Sequence, residues 1–235
     1  MIIYYNYDYN ILGDEIMIKF WTFQSKHTME ELCKTGRYYP DFDKTCQYES
    51  RRSSYDYILD IYNVNSYTDF NNNIFRGKRF KGLVFGITEY DGNPINNYIE
   101  YSNDILNFEI PGVSSCCDDI YVLELELPDD TPLLSVDFYK FADLIYYYNN
   151  KDIKRINTID LDLDLIKECL FDFELNEKND KHKLLQSHIA YIDKRYIKNI
   201  YPGVDFKVRG HKRIKTTAIC NKLEYYKKRL LLTNL

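Results

Sequence analysis

A chain of 235 residues, 45% hydrophobic and 29% charged, can bury a core without disulfide or metal staples, which excludes a disordered tail and a small stapled scaffold. No apolar run approaches the roughly 20 residues of a membrane span, and the first residues lack a basic start and a small-residue cleavage site, so the expected compartment is the cytoplasm. The net charge of −5 is unevenly spread: the segment from Lys207 onward carries +8 and the rest of the chain −13.

Residues 1–16, MIIYYNYDYNILGDEI, precede a second methionine, Met17. Codons for Gly-Asp-Glu-Ile can spell a ribosome-binding site just ahead of that ATG. The segment is therefore expected to be a non-native or loose arm, with a genuine strand as the alternative, since IIYYNYDY has high β-propensity. The domain proper is expected over 17–206. Residues 18–24, IKFWTFQ, read as a strand in which Ile18, Phe20, Trp21 and Phe23 lie among polar partners. SKHTMEELCKTG follows as a helix. Thr28 and Glu31 match a capping box, Met29 with Leu32 or Cys33 supply the inward face, and Gly36 fits the left-handed residue past the end.

SSYDYILDIYNVN predicts a second helix capped at Ser53 or Ser54, with Tyr57, Ile58, Ile61 and Tyr62 at helical spacing. GLVFGITEYDG predicts a strand ending in an Asp-Gly turn. Clean alternation over Tyr121–Leu127 predicts a half-buried strand closed by Pro128. A short strand and a helix capped at Ser135 or Asp137 follow. The acids Asp160, Asp162 and Asp164 lack the glycine and closing glutamate of a calcium loop, so they predict an acid-rich helix start. HKLLQSHIAYIDKRYIKNIY is a strand or a helix with a strong apolar stripe.

The tail from 207 to 235 is expected to be a basic helical extension. Lys207, Arg209, Lys212, Arg213 and Lys215, interleaved with aromatic residues, suit phosphate contacts with stacking, so nucleic acid is the expected partner, against a solvated basic face that complements the acidic body. The six cysteines, Cys33, Cys46, Cys116, Cys117, Cys169 and Cys220, form no Cys-x-x-Cys pair and predict reduced thiols rather than a zinc site. No Ser/His/Asp order, His-Glu-x-x-His or P-loop pattern occurs, which argues against hydrolase, zincin and P-loop chemistry.

Four stretches resemble a family of bacterial proteins of unknown function. IKFWTFQSKHTMEELCKTGRYYPD resembles its opening Trp-Thr-x-Gln strand and the helix that closes on Thr-Gly. YDYILDIY, VLELELPDDTPLLSVDFYKF and LLQSHIAYIDKRYIKNI resemble three later segments, although the proline- and tryptophan-rich central strand is matched only by VFGITEY, which has neither. The family's layout is similar to that of ADP-ribosyltransferases. The resemblance implies an α+β fold with a mixed or antiparallel central sheet and flanking helices, and NAD as cofactor.

Such an enzyme cleaves the nicotinamide–ribose bond, and a carboxylate stabilises the positive charge that builds on the ribose. The resemblance implies Trp21, Thr22 and Gln24 at the nicotinamide, Arg37 on the pyrophosphate, and Tyr55 or Tyr90 stacked on the ring. Gln186 stands where the plan has its late glutamate, and an amide cannot serve as a base. Asp137 or Asp193 must then supply the charge, or the domain is a non-catalytic module binding nucleic acid or protein. Each residue also has a structural alternative. Trp21 and His188 suit a core, Thr22 and Gln24 an exposed strand, Arg37 a helix C-terminus, and Ser135 and Asp137 an N-cap.

Overall fold

The computed structural model describes residues 17–44, 51–68, 79–101, 120–150, 162–171, 183–209, 212–217 and 222–231. The arm 1–16, together with Cys46, Cys116, Cys117, Asp160, His211 and Cys220, lies outside them.

Strand β1 (Ile18–Ser25) runs directly into helix α1 (Lys26–Thr35). Ser25 caps this helix, its hydroxyl accepting the Thr28 amide at 3.4 Å. The helix therefore begins earlier than the Thr28–Glu31 pattern suggests, and Thr28 is buried in its first turn. The other end is as expected: Gly36 has φ 77° and its amide reaches the Leu32 carbonyl, a backbone conformation that side chains with a Cβ resist. Strand β2 (Arg37–Tyr38) follows at once, and helix α2 (Arg52–Thr68) buries Tyr55, Ile58, Leu59 and Tyr62.

Strand β3 (Val84–Tyr90) turns at Asp91 (φ 50°) and Gly92 (φ 74°) into β4 (Asn93–Pro94), the tight hairpin that Asp-Gly announces. Short helix α3 (Tyr98–Glu100), strand β5 (Ile120–Leu127), strand β6 (Leu134–Asp137) and helix α4 (Phe138–Asn150) come next. Asp137 is the cap of α4, accepting the amides of Tyr139 and Lys140. Helix α5 (Leu163–Cys169) is capped by Asp162, with Asp164 in its first turn, in keeping with an acid-rich helix start. The ambiguous apolar stripe is strand: β7 (Leu184–Ile189), β8 (Ile192–Asp193), a 3-10 turn at Lys194–Tyr196, and β9 (Ile197–Pro202).

The tail differs from its expectation. Residues from Val204 form a two-stranded ribbon, β10 (Val204–Arg209) and β11 (Lys212–Thr217), and among the described residues of the tail only α6 (Leu223–Leu230) is helical. The alternation of Val204, Phe206 and Val208 with polar residues has the period of a strand, which a composition-based reading as helix passes over. Nor is α6 an appendage, since Tyr226 and Leu230 are buried in the main core.

The architecture is α+β. The main sheet runs β6-β7-β3-β1-β5-β9, with β4 beside β3, and its pairings are antiparallel. Residues opposite one another in such pairs share a face. One face carries Phe20, Leu123, Leu125 and Ile200 beneath α1 and α6. The other carries Phe85, Leu134 and Val136 beneath α2 and α4, and Trp21, Ile87 and Val122 beneath the segment 95–101. Coverage on both sides explains why β5 is buried at seven of its eight positions rather than at alternate ones.

Candidate functional site

The expected nicotinamide wall is divided between the two faces of the sheet. Trp21 pairs with Ile87, Ile87 with Gln186, and Gln186 with Val136, so the indole and the amide stand in one cross-strand row on one face. Ile87 lies between them and is itself buried, so the row is packed core rather than a crevice. The indole Nε1 donates to the Ile95 carbonyl at 2.9 Å, and the ring stacks on Tyr101 at 5.3 Å between centroids. Thr22 and Gln24 are one residue out of phase with Trp21 and therefore lie on the opposite face. There the Thr22 hydroxyl donates to the Phe85 carbonyl at 2.7 Å and receives the Gln24 amide at 2.8 Å. Tyr55 is buried among Phe42, Phe85 and Phe141, and burial raises its phenol to about 12. Tyr90 packs beside the Trp21 cluster at the end of β3.

Gln186 is engaged with a neighbour on its own strand. Its Nε2 lies 3.0 Å from His188 Nε2, and His188 Nδ1 lies 3.0 Å from the Leu134 carbonyl. An amide nitrogen donates, so the imidazole accepts at Nε2 and donates from Nδ1, which is the neutral ring. Burial, only partly offset by the Leu134 carbonyl, pulls the His188 pKa down to about 4. A ring so placed is a packed histidine, the structural alternative for this position.

Arg37 and Asp193 do come together. They are directly opposite in the β2–β8 pair, and Arg37 Nε donates to Asp193 Oδ2 at 2.8 Å. Arg195 adds a fork, Nε to Oδ1 at 3.0 Å and Nη2 to Oδ2 at 2.9 Å, while its own amide caps Oδ1. Burial by itself would raise the Asp193 carboxyl, but the hydrogen bonds from Arg195, and then from Arg37, outweigh it and hold the pKa at about 2. The carboxylate is buried, yet both guanidinium groups reach solvent, with side-chain exposures of 49% and 63%. Around them lie Tyr191, whose ring centroid is 5.8 Å from the Arg37 guanidinium, and Tyr39, stacked on Tyr191 at 5.3 Å. Two cations on one carboxylate leave a net positive, aromatic-lined surface.

Three participants escaped the sequence reading. Arg195 and Tyr191 stand within two residues of Asp193 in DKRY and its neighbour, so the charge pattern was visible but not its convergence on Arg37, 156 positions away. Glu124, a polar position in the alternation of β5, is buried and accepts Asn199 Nδ2 at 2.9 Å and the Tyr201 hydroxyl at 3.1 Å, with Lys19 at 3.5 Å. Among the described residues no cluster of His, Cys, Asp and Glu is arranged to hold a metal, and no helix is long and apolar enough to cross a membrane. The described cysteines Cys33 and Cys169 are free thiols.

Comparison of the chain with protein-family models, with curated proteins and with solved structures returned no match.

Proposed function

We propose that this chain is a non-catalytic nucleic-acid-binding module that grips phosphates through the β10–β11 ribbon. The observation that carries the reading is the register of that ribbon. It sets Lys207, Arg209 and Lys212 at positions of one face and Arg213 and Lys215 at positions of the other, within two paired strands of six residues, with Arg209 opposite Lys212. The acidic remainder of the chain, at −13, disfavours a polyanion over most of its surface, so contact is expected where cations gather, as they do in this ribbon.

The transferase reading, with NAD as cofactor, draws less support. It needs an acid or amide at the reacting carbon, but Asp137 is engaged as a helix cap, and Gln186 is buried against His188. The binding reading is tested by salt titration of an oligonucleotide complex. Replacing Lys212 and Arg213 by Ala is expected to weaken binding and to flatten the dependence of log K on log salt by about 2 on duplex DNA. An unchanged slope, or no binding by the intact protein, overturns the proposal.

A further inference from the structure

A buried carboxylate is neutralised by one cation, and the fork from Arg195 already supplies that to Asp193. Arg37 adds a second guanidinium beside the first, which costs like-charge repulsion unless an anion joins them. Arg37 gives Nε to the carboxylate and also hydrogen-bonds the Tyr39 side chain, and Arg195 gives Nε and Nη2 to the carboxylate; a guanidinium has five N–H donors, so each still has donors beyond these bonds. Asp193 thus acts as a rigid mount. It fixes the two forks at the end of the β2–β8 pair, and Gly36 and Lys194 are bound to each other next to them through the Lys194 amide and the Gly36 carbonyl at 2.9 Å.

The second observation is aromatic. Tyr39 follows Arg37 by two residues and is 44% exposed while one side of its ring rests on Tyr191. Tyr191 is steadied in turn by the Tyr196 hydroxyl at 3.3 Å. A phosphate alone would need only the two arginines. A phosphate seat with a propped aromatic ring beside it matches a nucleotide, whose anionic and π-faced parts are covalently joined. In a duplex both faces of each base are already stacked, so this ring can serve only an unpaired base.

We propose that Arg37, Arg195 and Tyr39 form a subsite for one unpaired nucleotide of a single-stranded nucleic acid, with the guanidinium groups on its phosphate and the Tyr39 ring under its base. The inference rests on the nucleic-acid reading above and adds strand selectivity to it.

Fluorescence anisotropy with a labelled oligothymidine and with a duplex of the same length, at one salt concentration, tests it. Tyr39→Ala is expected to weaken oligothymidine binding at least about fivefold, Tyr39→Phe to restore it, and duplex binding to change less than about twofold. Arg195→Gln is expected to weaken oligothymidine binding as well; Arg37 still neutralises Asp193 in that variant, and a circular-dichroism melt checks that it folds. Oligothymidine affinity within about twofold of the intact protein for Tyr39→Ala, or equal losses on both probes, overturns the subsite and leaves the ribbon proposal standing. Failure of the intact protein to bind either probe overturns both.

Discussion

His188, held against Gln186, ties part of the protein's stability to pH. The native ring titrates at about 4, below the usual 6.5, so between those values the unfolded chain binds the proton and the folded chain does not. Stability is therefore full above 6.5 and falls as pH drops toward 4, by about 3 kcal/mol in all. Glu89 and Asp143, whose carboxyls burial raises, act with the opposite sign. The quantity to measure is the difference between the intact protein and His188→Gln in urea unfolding at about pH 7 and about pH 4. Parallel losses in the two proteins would refute the assignment. Asp193 contributes in a lower window, from the usual 3.8 down to about 2, so the two groups are separable. None of this is visible in the string LLQSHIA, because burial on both faces comes from α2, α4 and α1, which lie far away in sequence.

Elements set by local chemistry were legible. The Gly36 stop, the Asp91-Gly92 turn and a cap for α4 at Ser135 or Asp137 each need only a few adjacent residues, whereas the α1 cap, expected at Thr28, is Ser25. The exceptions share one cause. The ribbon β10–β11 and the two-sided burial of β5 both depend on partners, and period-two patterning states which residues alternate but not whether the outer face is covered. Gly86 shows the same limit. On β3, a Cβ at this position would meet the Phe20 ring and the Trp21 carbonyl on β1, so the glycine marks a close approach of two strands. Gly86→Ala is expected to cost about 1–3 kcal/mol, read as a lower urea midpoint at unchanged slope. A midpoint equal to that of the intact protein would show that β1 and β3 can part there without penalty.

At the scale of the whole molecule, the sole tryptophan reports on the core. Trp21 is fully buried against Tyr101 and Tyr201, so its emission is expected to be blue-shifted in the folded protein and to move red on unfolding. The same probe separates the two functional readings. NAD at about 100 times its dissociation constant would add about 2.7 kcal/mol to the stability of a transferase. The expected result here is an unchanged unfolding midpoint; a rise of that size would restore the transferase and its dinucleotide site. The charge division, +8 after residue 206 and −13 before it, also belongs to this scale, because it sets where a polyanion can approach.

By itself the sequence determined a mixture of strands and helices, among them β1, β3, β5 and most of the helices, and a basic C-terminal end. These follow from periodicity, capping and composition, which act over a few residues. Tertiary structure alone decided which polar residues met. It set Trp21 and Gln186 into one packed row, put Thr22 and Gln24 behind the sheet, and brought Arg37 to Asp193 and Arg195. The reason is geometric. A one-residue step along a strand reverses the face, and pairing across 156 positions depends on the order of the strands, which no local pattern encodes.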